Sequence, residues 1–235
     1  MIQIFENKDC MIGMKELPDK YFDIIITSPP YNLGNTHHTG NKKFNPYDDD
    51  MPEYDYQMWQ IDVLNECSRV LKNNGSMFYN HKNRIKNGLQ ITPYSWILNT
   101  YFFLKQELVW FNRSQNFDSC RFYPMTERVY WLVNSPFDLL FDNNIKHHDL
   151  FDWQPVGTDG KHKRAFPLEM VQDILRCFPT GLKVLDPFAG SGTVPVACED
   201  MGYEYVGYEL DKDYYDAATK RLENFRKQLK LDLTI

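Results

Sequence analysis

Thr27-Ser28-Pro29-Pro30-Tyr31-Asn32 follows directly on an apolar run, Phe22-Asp23-Ile24-Ile25-Ile26. Two consecutive prolines neither continue a helix nor donate to a sheet ladder, so they end the strand and hold the next backbone extended and rigid. A hydroxyl, Ser28, and a ring, Tyr31, are thereby fixed at the carboxyl end of a buried strand. Open α/β sheets bind their ligands there. A serine hydroxyl, a proline carbonyl without a sheet partner and a flat ring suit a planar base that carries an amino group. The plainer alternative, a Pro-Pro turn capped by Ser28, leaves the adjacent aromatic unexplained.

A second candidate site lies far downstream. Val184-Leu185-Asp186-Pro187-Phe188-Ala189-Gly190-Ser191-Gly192-Thr193 reads as a short buried strand entering a glycine turn, then a helix from about 193 to 201. Gly190 and Gly192 permit positive φ and a close approach of ligand to backbone. The next strand, Tyr205-Val206-Gly207-Tyr208-Glu209, ends in an acid. A carboxylate at that place in a βαβ unit accepts hydrogen bonds from ribose hydroxyls. The turn is not a phosphate cradle: the third glycine of the dinucleotide fingerprint is missing and no Gly-Lys-Ser/Thr follows, which disfavours a nicotinamide dehydrogenase. A Gly-x-Gly by itself indicates only a tight turn. With the acid one strand later, and Ser-Pro-Pro-Tyr elsewhere, it indicates a cofactor pocket.

Together these motifs resemble those of the amino-DNA methyltransferases. The stretch from Asp186 to Thr193 is similar to their S-adenosylmethionine motif, and Ser28-Pro29-Pro30-Tyr31 to their catalytic tetrad. The catalytic motif precedes the cofactor motif, as in the permuted β-type class, and the resemblance runs from Ile4 to about Leu222. It implies methyl transfer from S-adenosylmethionine to the exocyclic amine of a base flipped out of double-stranded DNA. Such an amine is a poor nucleophile because its lone pair is delocalised into the ring. Hydrogen bonds to the Ser28 side chain and the Pro29 carbonyl would favour a pyramidal nitrogen, and Tyr31 would stack on the base. Most of the catalysis would be positional. Serine at the head of the tetrad resembles the N4-cytosine branch more than the N6-adenine branch, which stands as the alternative. An enzyme acting on RNA bases, and a DNA-binding module that keeps the fold without the reaction, are further alternatives; the intact tetrad argues against the last.

For the cofactor, the resemblance implies that Phe188, Ala189, Gly190, Ser191, Gly192 and Thr193 wrap the methionine and ribose. Asp186 would lie near the methionine amine, Glu209 with Leu210 at the ribose, and Asp9 with Cys10 at the adenine amino group. Ser28 would border the pocket, and Phe166 would cover the cofactor just before a helix opened by Pro167. Plain core packing is the competing reading for Phe166.

A chain of 235 residues supplies one substantial core, and residues 1–235 are expected to form a single catalytic domain. No apolar run is long enough to span a bilayer, and no basic stretch precedes an apolar core at the N-terminus, so neither membrane insertion nor a signal peptide is expected. The five cysteines are scattered and odd in number, without Cys-x-x-Cys or Cys/His spacing. They suggest neither a disulfide framework nor a metal site, and point to a reducing cytoplasm. The net charge of -6 counts against a protein that grips nucleic acid over a large surface. Local basic runs would have to serve: Lys82 and Arg84 in one, Lys161, Lys163 and Arg164 in another, and Lys42 and Lys43 in a loop. Target-recognition segments are expected at 33–54 and 134–160. Elements this small imply a short target or a homodimer sharing the duplex.

The elements that must position these groups alternate. Strands are expected at 2–6, 22–26, 76–80, 105–111, 128–133, 184–186 and 205–209. Helices are expected at about 10–17, 55–71, 90–98, 167–175, 193–201 and 213–229. Asn73-Asn74-Gly75 reads as a glycine stop for the helix ending near Leu71, whose apolar face would carry Met58, Ile61, Leu64 and Val70. The alternation gives an α/β, doubly wound, mostly parallel sheet. The family resemblance makes it a seven-strand Rossmann-like sheet with one reversed strand near the edge and with the N-terminal strand beside the last βα units.

Overall fold

The computed structural model describes residues 2–33, 49–113, 119–153 and 167–232. Its elements in chain order are β1 (Gln3–Asn7), α1 (Cys10–Lys15), β2 (Phe22–Thr27), α2 (Glu53–Val70), β3 (Leu71–His81), β4 (Arg84–Lys86), β5 (Leu89–Ile91), α3 (Tyr94–Ile97), β6 (Phe103–Phe111), β7 (Thr126–Val133), β8 (Leu150–Phe151), α4 (Leu168–Arg176), β9 (Lys183–Asp186), α5 (Thr193–Met201), β10 (Glu204–Glu209) and α6 (Lys212–Asp232).

The main sheet runs β1-β10-β9-β2-β3-β7-β6-β8. All neighbours are parallel except the two pairs made by β7, which is antiparallel to β3 and to β6. Thus seven strands form the expected sheet with β7 as its reversed member, and the two-residue β8 extends the edge. β1 pairs with β10, which joins the two ends of the chain.

Both faces of the sheet are covered, which explains the unbroken apolar run of β2. Ile24 and Ile26 point into one core layer with Phe78, Trp131, Val184 and Tyr205, beneath α4 and α5. Phe22 and Ile25 point into the other with Met77, Tyr79, Leu185 and Val206, beneath α1, α2 and α3. β2 therefore sits mid-sheet, with every residue buried.

Three expectations are corrected. Residues 90–98 are not one helix: Asn87 and Gly88 both take positive φ, turning β4 back onto β5, and Pro93 then opens only the four-residue α3. Gly75 is not a helix stop. α2 ends at Val70 and passes straight into β3, where a Cβ on Gly75 would meet the Asp23 carbonyl at 2.8 Å and the Leu71 side chain at 2.7 Å. The glycine is there to let β3 close on β2. The inward face of α2 is Tyr56, Gln60, Val63, Leu64, Cys67 and Val70, while Met58 is exposed. Gln60 and Tyr56, polar by composition, are inside because they hydrogen-bond there.

Gly75→Ala should therefore destabilise the protein by about 1–3 kcal/mol, the usual cost of overpacking where the obstructing atom is backbone. Urea unfolding followed by far-UV circular dichroism checks this; an unchanged midpoint would mean that β3 can shift away from β2 at no cost.

Candidate active site

Four strand ends meet at one edge of the sheet. The tetrad leaves β2, the glycine turn leaves β9, Glu209 closes β10, and Asp9 follows β1. β2 and β9 are direct neighbours, and Thr27 Oγ1 donates to Asp186 Oδ1 at 2.8 Å. The same Oδ1 accepts the Phe188 backbone N–H at 3.1 Å. One buried carboxylate oxygen thus fixes the tetrad strand beside the start of the glycine turn. Burial pushes the Asp186 carboxyl up to about 7, against the opposing effect of these two hydrogen bonds.

Glu209 organises the other side. Its Oε2 accepts from Gly190 N and its Oε1 from Asp211 N, each at 2.8 Å. Burial raises this carboxyl too. Gly190 and Gly192 both have positive φ, 49° and 76°, but for different surroundings. A Cβ on Gly192 would press on Ala218 of α6 at 3.1 Å, whereas one on Gly190 would meet only the Phe188 carbonyl, at 3.9 Å. Packing demands the glycine at 192. At 190 the backbone is bare towards open space, as a close-approach site for a ligand requires. Asp9 caps α1 by accepting from Met11 N and Ile12 N, and Cys10 is buried with its thiol pushed up by burial. Leu210 is half-buried, its carbonyl held by the Asn7 side chain. The half-buried Phe188 meets Trp59 of α2 edge-on at 5.7 Å, a contact the sequence did not suggest.

The tetrad is braced from beneath. Tyr31 is 9 % exposed, and its hydroxyl lies 2.7 Å from Ser28 Oγ, 2.9 Å from Asn80 Oδ1 and 3.2 Å from Glu127 Oε2. Burial and the Glu127 charge hold its phenol well above the ordinary tyrosine range. Its ring lies against His81, with centroids 4.6 Å apart, and Lys82 Nζ is 5.8 Å from its centre. The Pro30 carbonyl accepts from Tyr56 Oη at 2.7 Å, and Tyr56 in turn takes a hydrogen bond from Gln60 at 2.8 Å. His81 Nδ1 donates to the Lys82 carbonyl, and burial pushes the imidazole down to about 3, so His81 is neutral and its Nε2 faces the Tyr56 hydroxyl at 2.7 Å.

The basic residues fare differently. Arg84 does not face outward: it is 5 % exposed, makes two hydrogen bonds to Glu53 at 2.7 and 2.8 Å, and lies over the rings of Tyr56 and Trp96. Stacking and a bidentate carboxylate hold it inside, so it is withdrawn as a phosphate contact. Lys82 stands at the catalytic end beside Tyr31. Phe166, Lys42, Lys43, Lys161, Lys163 and Arg164 lie outside the described residues. The described part of 134–160 is tied back to the body. Phe141 packs on Trp131, and His147 and Trp153 both hydrogen-bond Asp173 of α4. Among the described residues no cluster of three or more His, Cys, Asp or Glu could hold a metal ion, and no helix is long and apolar enough to cross a membrane.

This arrangement, a cofactor turn after one central strand and Ser-Pro-Pro-Tyr after its neighbour, defines a class that comparison with known proteins names. The DNA methylase family of N6 and N4 methyltransferases matches residues 22–220, and the chain belongs to it. The Type II methyltransferase M.ScaI of Streptomyces caespitosus is 25% identical over 251 residues, covering 92% of this chain and 79% of that protein. In fold the chain is similar to the PvuII cytosine-N4-specific DNA methyltransferase, with a TM-score of 0.76 at 16% identity, covering 95% of this chain and 91% of that one. It is similar also to M1.HpyAVI in complex with S-adenosylmethionine, with a TM-score of 0.70 at 22% identity over 94% and 99% of the two chains. The protein is an S-adenosylmethionine-dependent DNA amino-methyltransferase.

The Asp186 carboxyl has a direct thermodynamic consequence. Unfolded, it titrates near 3.8; folded, near 7. Between those values the folded state keeps a proton that the unfolded state has released, so its contribution to stability falls as pH rises from about 4 to about 7 and then levels off. Asp186→Asn should lack that fall. The difference in Tm, variant minus unaltered protein, should therefore rise across this window in a thermal-melt series; a flat difference would show that Asp186 is ionised throughout.

Proposed function

We propose that the protein methylates N4 of a cytosine flipped out of double-stranded DNA into the pocket between Ser28, Pro29 and Tyr31. The observation that carries this reading is the Thr27–Asp186 hydrogen bond, which seats the tetrad directly beside the glycine turn. The residues fit the cofactor: the backbone of Gly190 is open to approach, and two buried carboxylates, Asp186 and Glu209, stand on either side of the turn. S-adenosylmethionine supplies a methyl group already activated on a sulfonium. Asp186 would face its methionine amine, Glu209 its ribose, and Phe188 and Ser191 would line the way between; Asp9 would reach the adenine amino group from the cap of α1.

The chain's own task is then to orient an amine. Ser28 Oγ and the Pro29 carbonyl take hydrogen bonds from it, drawing the nitrogen towards a pyramidal form. Tyr56 holds the Pro30 carbonyl, so the Pro-Pro backbone cannot drift. Tyr31 is anchored through its hydroxyl, which fixes its ring plane; with 9 % of it exposed, a base stacking there must displace its neighbours. Serine at the head of the tetrad supports cytosine over adenine.

Two experiments test this. Nucleosides from DNA of cells expressing the protein should contain N4-methylcytosine by mass spectrometry. Finding N6-methyladenine alone would overturn the base and leave the family standing. Gly190→Ala should weaken S-adenosylmethionine binding at least tenfold in calorimetry, equivalent to about 1.4 kcal/mol, because its Cβ enters the ligand's approach path. Unchanged affinity would remove the glycine turn from the cofactor site.

A further inference from the structure

Proton bookkeeping around Tyr31 fixes the direction of its hydrogen bonds. The hydroxyl has one proton and three oxygen neighbours. Asn80 presents its oxygen, because its Nδ2 donates to the Arg128 carbonyl at 3.0 Å. Glu127 presents a carboxylate oxygen, its Oε1 being held by Asn112 Nδ2 at 3.0 Å. Neither neighbour supplies a proton, so Tyr31 donates to that pair and must accept from Ser28. The Ser28 hydroxyl therefore points its proton inward at Tyr31 and turns lone pairs elsewhere.

We propose that Ser28, Tyr31 and Glu127 form a proton relay that drains the amine during methyl transfer, with Glu127 as the terminal acceptor. The proposal rests on the amine-methyltransferase reading above. As the amine's lone pair forms the new N–C bond, the bond from methyl to sulfur breaks and its electron pair stays on sulfur. The nitrogen then carries one proton too many. That proton passes to Ser28 Oγ, the Ser28 proton to Tyr31 Oη, and the Tyr31 proton to the Glu127 carboxylate. Charge balances: the sulfonium becomes a neutral sulfide, and the carboxylate becomes a carboxylic acid. Glu127 returns its proton to water before the next turnover, which its half-buried position at the start of β7 permits.

A serine hydroxyl alone is too weak a base to take this proton, and His81, the nearest imidazole to the Tyr31 ring among the described residues, turns Nδ1 to the Lys82 carbonyl and Nε2 to the Tyr56 hydroxyl. Of the three groups in contact with the Tyr31 hydroxyl, Glu127 is the one that offers a carboxylate to the proton. It does not touch the amine, so it is a positioning and proton-accepting residue that acts through Tyr31.

The test is Glu127→Gln. Asn112 keeps the amide oxygen of that side chain, which turns its N–H towards Tyr31; Tyr31 can still accept from Ser28 and donate to Asn80. The scaffold survives and only the proton acceptor is lost. The single-turnover rate of methyl transfer to DNA should fall by roughly 10²–10⁴-fold, the range for general acid–base catalysis. Tm should be unchanged, affinity for S-adenosylmethionine and for DNA should stay within about twofold of the unaltered protein's, and Glu127→Asp should restore part of the rate. Tyr31→Phe should cost as much as Glu127→Gln, and the double variant no more than either. A Glu127→Gln rate within twofold of the unaltered protein's overturns the relay. A matching loss of Tm and cofactor affinity, unrelieved by Glu127→Asp, also overturns it, in favour of a structural role. If the unaltered protein transfers no methyl group to any DNA, the amine reading falls and the relay with it, an outcome distinct from an active protein indifferent to Glu127.

Discussion

The site depends on the pairing of β2 with β9. Each of these strands is central and buried, and each ends in a turn that could not do chemistry alone. The two turns come from segments 159 residues apart in the chain, and the Thr27–Asp186 hydrogen bond ties them at the point where the strands end. That bond is buried, where an unpaired partner would cost about 1–3 kcal/mol. Its geometry is therefore well enforced, and the spacing between tetrad and glycine turn follows from sheet register rather than from loop flexibility. The parallel order β9-β2-β3 puts all three carboxyl ends on the same side, so the groups that brace Tyr31 from β3 arrive without any special loop.

Much of this was legible in the sequence because its signals were local. The double proline ends a strand wherever it stands, the paired glycines demand a tight turn, and β2 reads as buried on both faces from its own composition. The strands and the reversed β7 followed from these with the family resemblance. What sequence could not show was the second layer of polar groups. Gln60, Tyr79 and Trp96 come from three different elements and form one chain of hydrogen bonds ending at Tyr56 and the Pro30 carbonyl. Nothing in their spacing sets them apart from surface residues. Gln60 in particular looks like an outward position of α2 until its partners on β3 are known. The misread face of α2, with Met58 inside, has this cause: hydrophobic periodicity counts side chains by type and is blind to polar groups that satisfy one another inside.

Arg84 shows the same limit for charge. In the run His81-Lys82-Asn83-Arg84-Ile85-Lys86 it is indistinguishable from a phosphate-binding arginine. The structure places it between two aromatic rings and a bidentate carboxylate, a setting suited to guanidinium because it is planar and weakly hydrated. Its contribution is to clamp β4 and the start of α2 together next to Tyr56, and so to support the Pro30 carbonyl indirectly. The neighbouring Lys82, two residues earlier, falls beside Tyr31 at the catalytic end instead.

This division bears on how an acidic protein can act on a polyanion. Arg69, Arg84, Arg128 and Arg226 are each engaged by a carboxylate of the same chain, so their charge is spent on internal structure and contributes little to long-range attraction. The carboxylates that neutralise them account for part of the acidic composition without presenting bare negative charge to DNA. Each such pair is neutral at a distance and leaves the net charge of -6 unchanged, since charges within the screening length of an opposite partner cancel there. What a duplex meets is set by the local field at the carboxyl ends of β2, β3, β9 and β10, where Lys82 stands beside the tetrad and where Asp186, with its carboxyl pushed up to about 7, is largely protonated at slightly acid pH. The pocket is consequently less negative than its count of carboxylates suggests. The same burial that raises Asp186 also leaves it ready to ionise when a cationic group arrives, so one physical effect serves both an approaching anion and a bound cation.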